Sequence, residues 1–140
     1  MPKFTAVMGH VFAASPETIF HYFADHSQFM ALLGAKGTRI KDGNDGHVNG
    51  LGSVRKITLP PPAFEETIMT FKPNSLIEYT ITKGGLVKNH WGRIEFHPTA
   101  EGGTRLHYTI VFDQKIPCTG GLIVKMLKGS FDKNVAKLKL

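Results

Sequence analysis

Cysteine is nearly missing from this chain: Cys118 stands alone among 140 residues. That excludes an internal disulfide and any cysteine-rich zinc site, and it fits a reducing, cytoplasmic compartment. Acid is scarce as well. Eleven Asp and Glu face seventeen Lys and Arg, a formal net charge of +6, which raises nucleic acid, anionic membranes and acidic ligands as partners. No apolar run reaches the roughly eighteen residues that a membrane-spanning helix requires. Tryptophan occurs once, as Trp91. With Arg93 beside it, that is a thin platform for stacking RNA bases, and cover for an arginine stem or a neighbouring subunit in a homodimer suits it better.

Phosphate and nucleophile motifs are also wanting. Gly50-Leu51-Gly52 has no third glycine and no helix behind it, and neither Gly-Lys-Ser/Thr nor Gly-x-Ser-x-Gly occurs. The seven histidines show no ligand spacing: His21 and His26 fall on different helical faces, His47 lies in a loop, and His97 and His107 belong to an outer strand face. The expectation is therefore no metal and no bound cofactor. Cys118 precedes a helix start, and a packed, unreactive thiol is expected there.

What is present is a globular composition, 41% hydrophobic and 20% charged, in a length that suits one domain over residues 1–140. Lys3 and the run Phe4 to Ala14 superficially resemble a short signal peptide, but His10 interrupts it and it leads directly into a helix start, so it reads as a first strand. Ser15-Pro16-Glu17 opens a helix to about residue 24. Ser27 is the expected cap of a second short helix that stops at Gly34. Six glycines between 34 and 52 make a loop with one short strand near Thr38–Lys41.

From Gly52 the period becomes two. Ser53–Leu59, Phe64–Phe71, Leu76–Thr82, Lys88–His97 and Thr104–Lys115 read as strands of an antiparallel meander. After Pro117 the period returns to 3.6. Thr119 is the expected cap of a helix to about 139, with Leu122, Ile123, Met126, Leu127, Phe131, Val135 and Leu138 on one stripe. The fold class is α+β: a curved antiparallel sheet wrapped around a long C-terminal helix, with two short helices after the first strand. Residues 119–140 hold five Lys and one Asp, which is +4 of the net charge; the rest of the chain carries only +2. That argues against a general nucleic-acid binder and leaves peripheral contact of this helix with an anionic membrane as an expectation.

Strand alternation assigns inner faces. Ile77, Tyr79 and Ile81 share one, His90, Gly92, Ile94 and Phe96 another, and Leu106, Tyr108, Ile110 and Phe112 a third. Arg55 goes with Ile57 and Leu59, and Glu66 with Phe64 and Ile68, although Met69 and Phe71 make the opposite face of that strand apolar too. A few polar groups in an apolar hollow is the make-up of a small-molecule pocket. Its candidate ligand-binding residues are Arg55, Glu66, Tyr79, His90 and Gly92, then Ile94, Tyr108 and Ile110 on the strands and Met126 and Gly129 on the helix. For Gly129 close helix–sheet packing is the plainer explanation.

The order of elements resembles the polyketide cyclase/dehydrase and START-like (SRPBCC) superfamily, the helix-grip fold shared with the birch-pollen allergen. The resemblance is carried by Ala14-Ser15-Pro16-Glu17-Thr18-Ile19-Phe20, Asp25, Phe29 and Gly50-Leu51-Gly52-Ser53-Val54-Arg55. It continues through Glu66, Leu76-Ile77-Glu78-Tyr79, Gly92 to Pro98 and Gly103 to Tyr108. Phe20 and Phe29 stand where many members carry Trp, and Pro60-Pro61-Pro62 makes an unusually stiff turn. The resemblance implies a deep apolar cavity under the C-terminal helix, with lipid or polyketide binding, aromatic cyclisation or chaperone-like partner binding as roles. It implies no universal catalytic residue. The leading expectation is binding or transport of a hydrophobic or amphipathic small molecule. A cyclase or dehydrase-type enzyme acting on an aromatic polyketide-like substrate, with His90 as acid/base and Tyr108, Tyr79 or Arg55 steadying an oxyanion, comes next, then a protein- or nucleic-acid-binding module.

Overall fold

The computed structural model describes residues 2–140. Strand β1 (Phe4–Phe12) leads into helices α1 (Pro16–Ala24) and α2 (His26–Leu32), followed by the edge strand β2 (Lys36–Lys41). Strands β3 (Val54–Leu59), β4 (Phe64–Lys72), β5 (Leu76–Gly84), β6 (Val87–Pro98) and β7 (Thr104–Gln114) follow, then helix α3 (Gly120–Val135). All seven strands form one antiparallel sheet in the order β1-β7-β6-β5-β4-β3-β2. It is a meander that closes on β1 through its last strand. This is the α+β helix-grip architecture expected from the sequence.

Local chemistry explains the boundaries, with two corrections. Ser15 caps α1 by accepting from the Thr18 amide, with Pro16 behind it. The cap of α2 is Asp25, which accepts from the Gln28 amide at 3.0 Å. Ser27, the expected cap, instead donates to the Gly37 carbonyl and ties α2 to β2. Thr119 makes no side-chain cap for α3 either. Gln114, at the end of β7, accepts from the amides of Thr119 at 3.2 Å and Gly120 at 2.9 Å.

The inner faces of β5 to β7 follow strict alternation: Ile77, Tyr79, Ile94, Phe96, Leu106, Tyr108, Ile110 and Phe112 are all buried. In β4 the alternation breaks. Ile68 pairs with Tyr79 and Phe71 with Ile77, so three residues of β4 span two of β5. This bulge moves Phe71 onto the inner face, where it meets the Phe20 ring edge-on at 5.1 Å. It also resolves why both faces of this strand look apolar. Leu59, assigned inward, is 52% exposed where the chain leaves β3 for the proline turn.

Helix α3 is sixteen residues long, shorter than the sequence suggested. Its inward line is Ile123, Leu127, Phe131 and Val135, four apart, and burial is complete only at the last two. Leu122 and Met126 sit one helical position to the side and remain mostly exposed. The helix is pinned at its C-terminal end, where Asn134 donates to the Leu32 carbonyl at 3.0 Å. At its N-terminal end Gly120 lies against Phe4, and a Cβ there would come within 2.4 Å of the ring. Between these two anchors the sheet curves away from the helix.

Candidate functional site

The space under α3 is an open cavity of about 280 Å³. Its walls come from Ile57, Phe64, Ile81, Ile110 and Phe112 of the sheet, Met30 of α2, and Ile123 and Leu127 of α3. Pro60, Pro61, Pro62, Leu86 and Met126 also line it, and the last two are half exposed, which places them at the mouth. Among the ionisable side chains of the described residues, only Glu66, Tyr79 and His90 line this space.

His90 reaches the wall through a second irregularity. The β5–β6 ladder ends at the pair Tyr79 and Gly92, and beyond it the strands separate. Between Lys88 and Trp91, three residues of β6 span two of β7, with Asn89 at φ +52°. The Ile81 amide, left without a ladder partner, donates to His90 Nδ1 at 3.2 Å. Thr80 Oγ1 donates to the His90 carbonyl and holds the bulge in place. Because Nδ1 accepts, the neutral ring carries its proton on Nε2, and Nε2 faces Glu66 Oε2 across 3.9 Å. Burial holds the His90 pKa below its ordinary value, and Arg55 pushes the same way against the opposing Glu66. His90 is a neutral donor into the cavity.

Behind Glu66 lies a chain of buried polar contacts. Arg55 Nε donates to Glu66 Oε1 at 2.7 Å, and both side chains are under a tenth exposed. Arg55 Nη1 lies 3.2 Å from His26 Nδ1, which therefore accepts, and His26 Nε2 lies 3.2 Å from Ser53 Oγ. Burial first, and then the Arg55 charge, push the His26 pKa down to about 3. The guanidinium is packed over the rings of Tyr79 at 4.4 Å and Phe29 at 5.0 Å, so aromatic faces compensate part of its charge. Its Nη2 has no hydrogen-bond partner among the described residues. The Tyr79 and Tyr108 hydroxyls bond to each other, and burial raises both their pKa values.

Of the residues singled out from the sequence, Glu66, Tyr79, His90, Ile110 and Met126 line the cavity and the other five do not. Arg55 and Tyr108 point inward but are essentially inaccessible behind Glu66 and Tyr79. Ile94 is wholly buried in the packed half of the core. Gly92 is covered by Tyr79: a Cβ on Gly92 would lie 2.3 Å from its ring. That glycine makes room for a tyrosine, not for a ligand. Gly129 is exposed, and a Cβ there would meet nothing within 4 Å, so neither close packing nor ligand space explains it. Cys118 is exposed at φ +66° in the turn before α3, contrary to the packed thiol expected.

Sequence reasoning missed the contribution of α2 and of the proline turn. Met30 and Leu33 belong to an apolar helix face that looks like ordinary core, and only the curvature of the sheet opens it. On the outer face Trp91 Nε1 and Arg93 Nη1 both donate to Glu78 Oε2, at 3.1 and 2.8 Å, so Trp91 is a half-buried partner of a charge pair. Among the described residues no three His, Cys, Asp or Glu side chains converge on a metal position, and no helix is long and apolar enough to cross a membrane.

Fold and cavity together define a helix-grip domain built around a small-molecule-sized hollow. The chain belongs to the family described as polyketide cyclase / dehydrase and lipid transport, whose model matches residues 1–140. Solved structures share the fold. A START superfamily protein from Mycobacterium smegmatis superposes with a TM-score of 0.74 at 18% identity, covering 96% of this chain and 93% of that one. XoxI from Bacillus cereus gives 0.71 at 14% identity, covering 96% and 92%. Ara h 8.0201 gives 0.57 at 16% identity, covering 93% and 98%. No curated protein matches the sequence.

Proposed function

We propose that this domain binds a hydrophobic or amphipathic small molecule in the cavity between the sheet and α3. The observation that carries the reading is the cavity itself: about 280 Å³ of largely apolar-walled space, open to solvent, beside a core packed through aromatic contacts. Open apolar space costs stability, because its lining forgoes contacts that packed side chains would make. A bound ligand restores them. Fold and family membership are consistent with the same role.

Native mass spectrometry of freshly purified protein tests this, together with Leu127→Trp, which fills the wall from the α3 side. A co-purifying small molecule lost in Leu127→Trp supports the reading. An unliganded protein that takes up no hydrophobic probe overturns it.

A second reading, a cyclase- or dehydrase-type reaction, is favoured by one observation: Glu66 and His90 stand together on the wall. His90 Nε2–H is placed to donate to a ligand oxygen, and Glu66 Oε2 to accept a proton. His90→Ala then removes turnover, with ligand affinity falling only by what one hydrogen bond accounts for, and simple binding predicts no turnover to remove.

A further inference from the structure

The polar end of the cavity is specific enough to say what it recognises. Glu66 Oε1 is committed to Arg55 Nε at 2.7 Å, which leaves Oε2 as the free acceptor. His90 Nδ1 is committed to the Ile81 amide, which leaves Nε2–H as the free donor. The two free atoms are 3.9 Å apart, too far to satisfy each other. Both belong to residues on the cavity wall, with side chains only 7% exposed.

We propose that the ligand is a neutral hydroxyl compound, a long-chain alcohol or an alkylated phenol, whose hydroxyl bridges Glu66 Oε2 and His90 Nε2. This rests on the cavity being a ligand site. One oxygen about 2.8 Å from each atom spans the gap, donating its proton to the carboxylate and accepting from the imidazole. Head groups of a single hydrogen-bonding polarity or of like charge each fail one partner. A carboxylate adds a second anion beside Glu66, whose charge Arg55 already balances. An ammonium has only donors to offer His90 Nε2–H. An ether or ketone accepts from His90 but leaves Oε2 desolvated and unpaired, and an unmade buried bond is the costly case. Ile110, Phe112 and Leu127 surround an apolar body, and Leu86 and Met126 stand where its far end emerges. At roughly 30 Å³ per water-sized group, the enclosed part holds on the order of ten heavy atoms.

Calorimetric titration of the unmodified protein with 1-decanol, methyl decyl ether, decanoate and decylammonium, each below its aggregation concentration, reads this directly. Decanol is expected to bind about tenfold or more tightly than each of the others, and His90→Phe to weaken decanol about tenfold. Tightest binding by decanoate or decylammonium overturns the assignment in favour of a charged ligand. Equal affinity for all four, or no effect of His90→Phe, overturns it while leaving the cavity as a non-selective apolar site. Failure of all four to bind, in protein shown to be folded and free of ligand, removes the ligand-site reading itself.

Discussion

Arg55 brings a positive charge to a position 1% exposed, and among the described residues its only carboxylate partner is Glu66. Desolvating two such groups offsets much of their attraction, so the pair contributes little net stability, yet removing one partner strands the other. Arg55→Met is expected to cost about 3–5 kcal/mol in urea unfolding, and Arg55→Met with Glu66→Leu to recover most of that loss. Equal destabilisation by the single and double variants refutes the coupling. His26 adds a pH dependence. Its folded pKa is about 3 against an ordinary 6.5, so between those values the unfolded chain takes up a proton that the folded protein refuses. Stability is therefore complete above about pH 6.5 and falls on acidification by up to about 1.4 kcal/mol per pH unit until near pH 3. The lowered pKa of His90 acts in the same direction. In His26→Gln, which keeps an acceptor for Arg55 and a donor for Ser53, the slope is expected to flatten in chemical unfolding followed from pH 7 to pH 4. Alternation showed that Arg55, Glu66, Tyr79 and Tyr108 face inward, but face is not depth. Which of them touches the cavity depends on the partner standing in front, and strand period carries no information about that.

Elements with unbroken period were legible, and those with bulges were not. Strands β5 and β7 and the inward part of β6 read directly from alternation. In β4 the extra residue between Ile68 and Phe71 switches the face midway, and no single register describes the whole strand. The same kind of irregularity places His90, so the feature that makes the site is one that periodicity averages out. The cap of α1 reads correctly at Ser15, and that of α3 is missed for a related reason. A cap at a helix start is read from the nearest Ser, Thr, Asp or Asn, whereas Gln114 reaches α3 from the preceding strand, five and six residues upstream. Gln114→Ala leaves two amides of the first turn of α3 without their acceptor. It is expected to cost about 1 kcal/mol, with faster hydrogen exchange confined to the N-terminal turns of α3. Uniform loss of protection across the sheet contradicts this local role.

At the scale of the molecule, α3 is gripped at both ends and bridges empty space between them. The C-terminal half seals against the sheet through Phe131 and Val135, while the half carrying Ile123 and Leu127 is only partly covered. A core left open in this way makes global stability depend on what fills it. A ligand that binds the folded protein alone stabilises it by RT ln(1 + [L]/Kd), about 2.7 kcal/mol at a hundredfold excess over Kd. For a domain of this length that raises the thermal midpoint by on the order of 10 °C. In Leu127→Trp the indole occupies part of the wall that the ligand would touch, so the shift is expected to shrink or vanish while the unliganded midpoint stays level or rises. Arg93, paired with Glu78 on the outer face of the sheet, provides the control: Arg93→Ala removes an exposed ion pair of small value and should leave the ligand-induced shift intact. If calorimetric scans show the same shift in Leu127→Trp as in the unmodified protein, the ligand lies elsewhere, and the opening under α3 is a packing defect instead of a binding site.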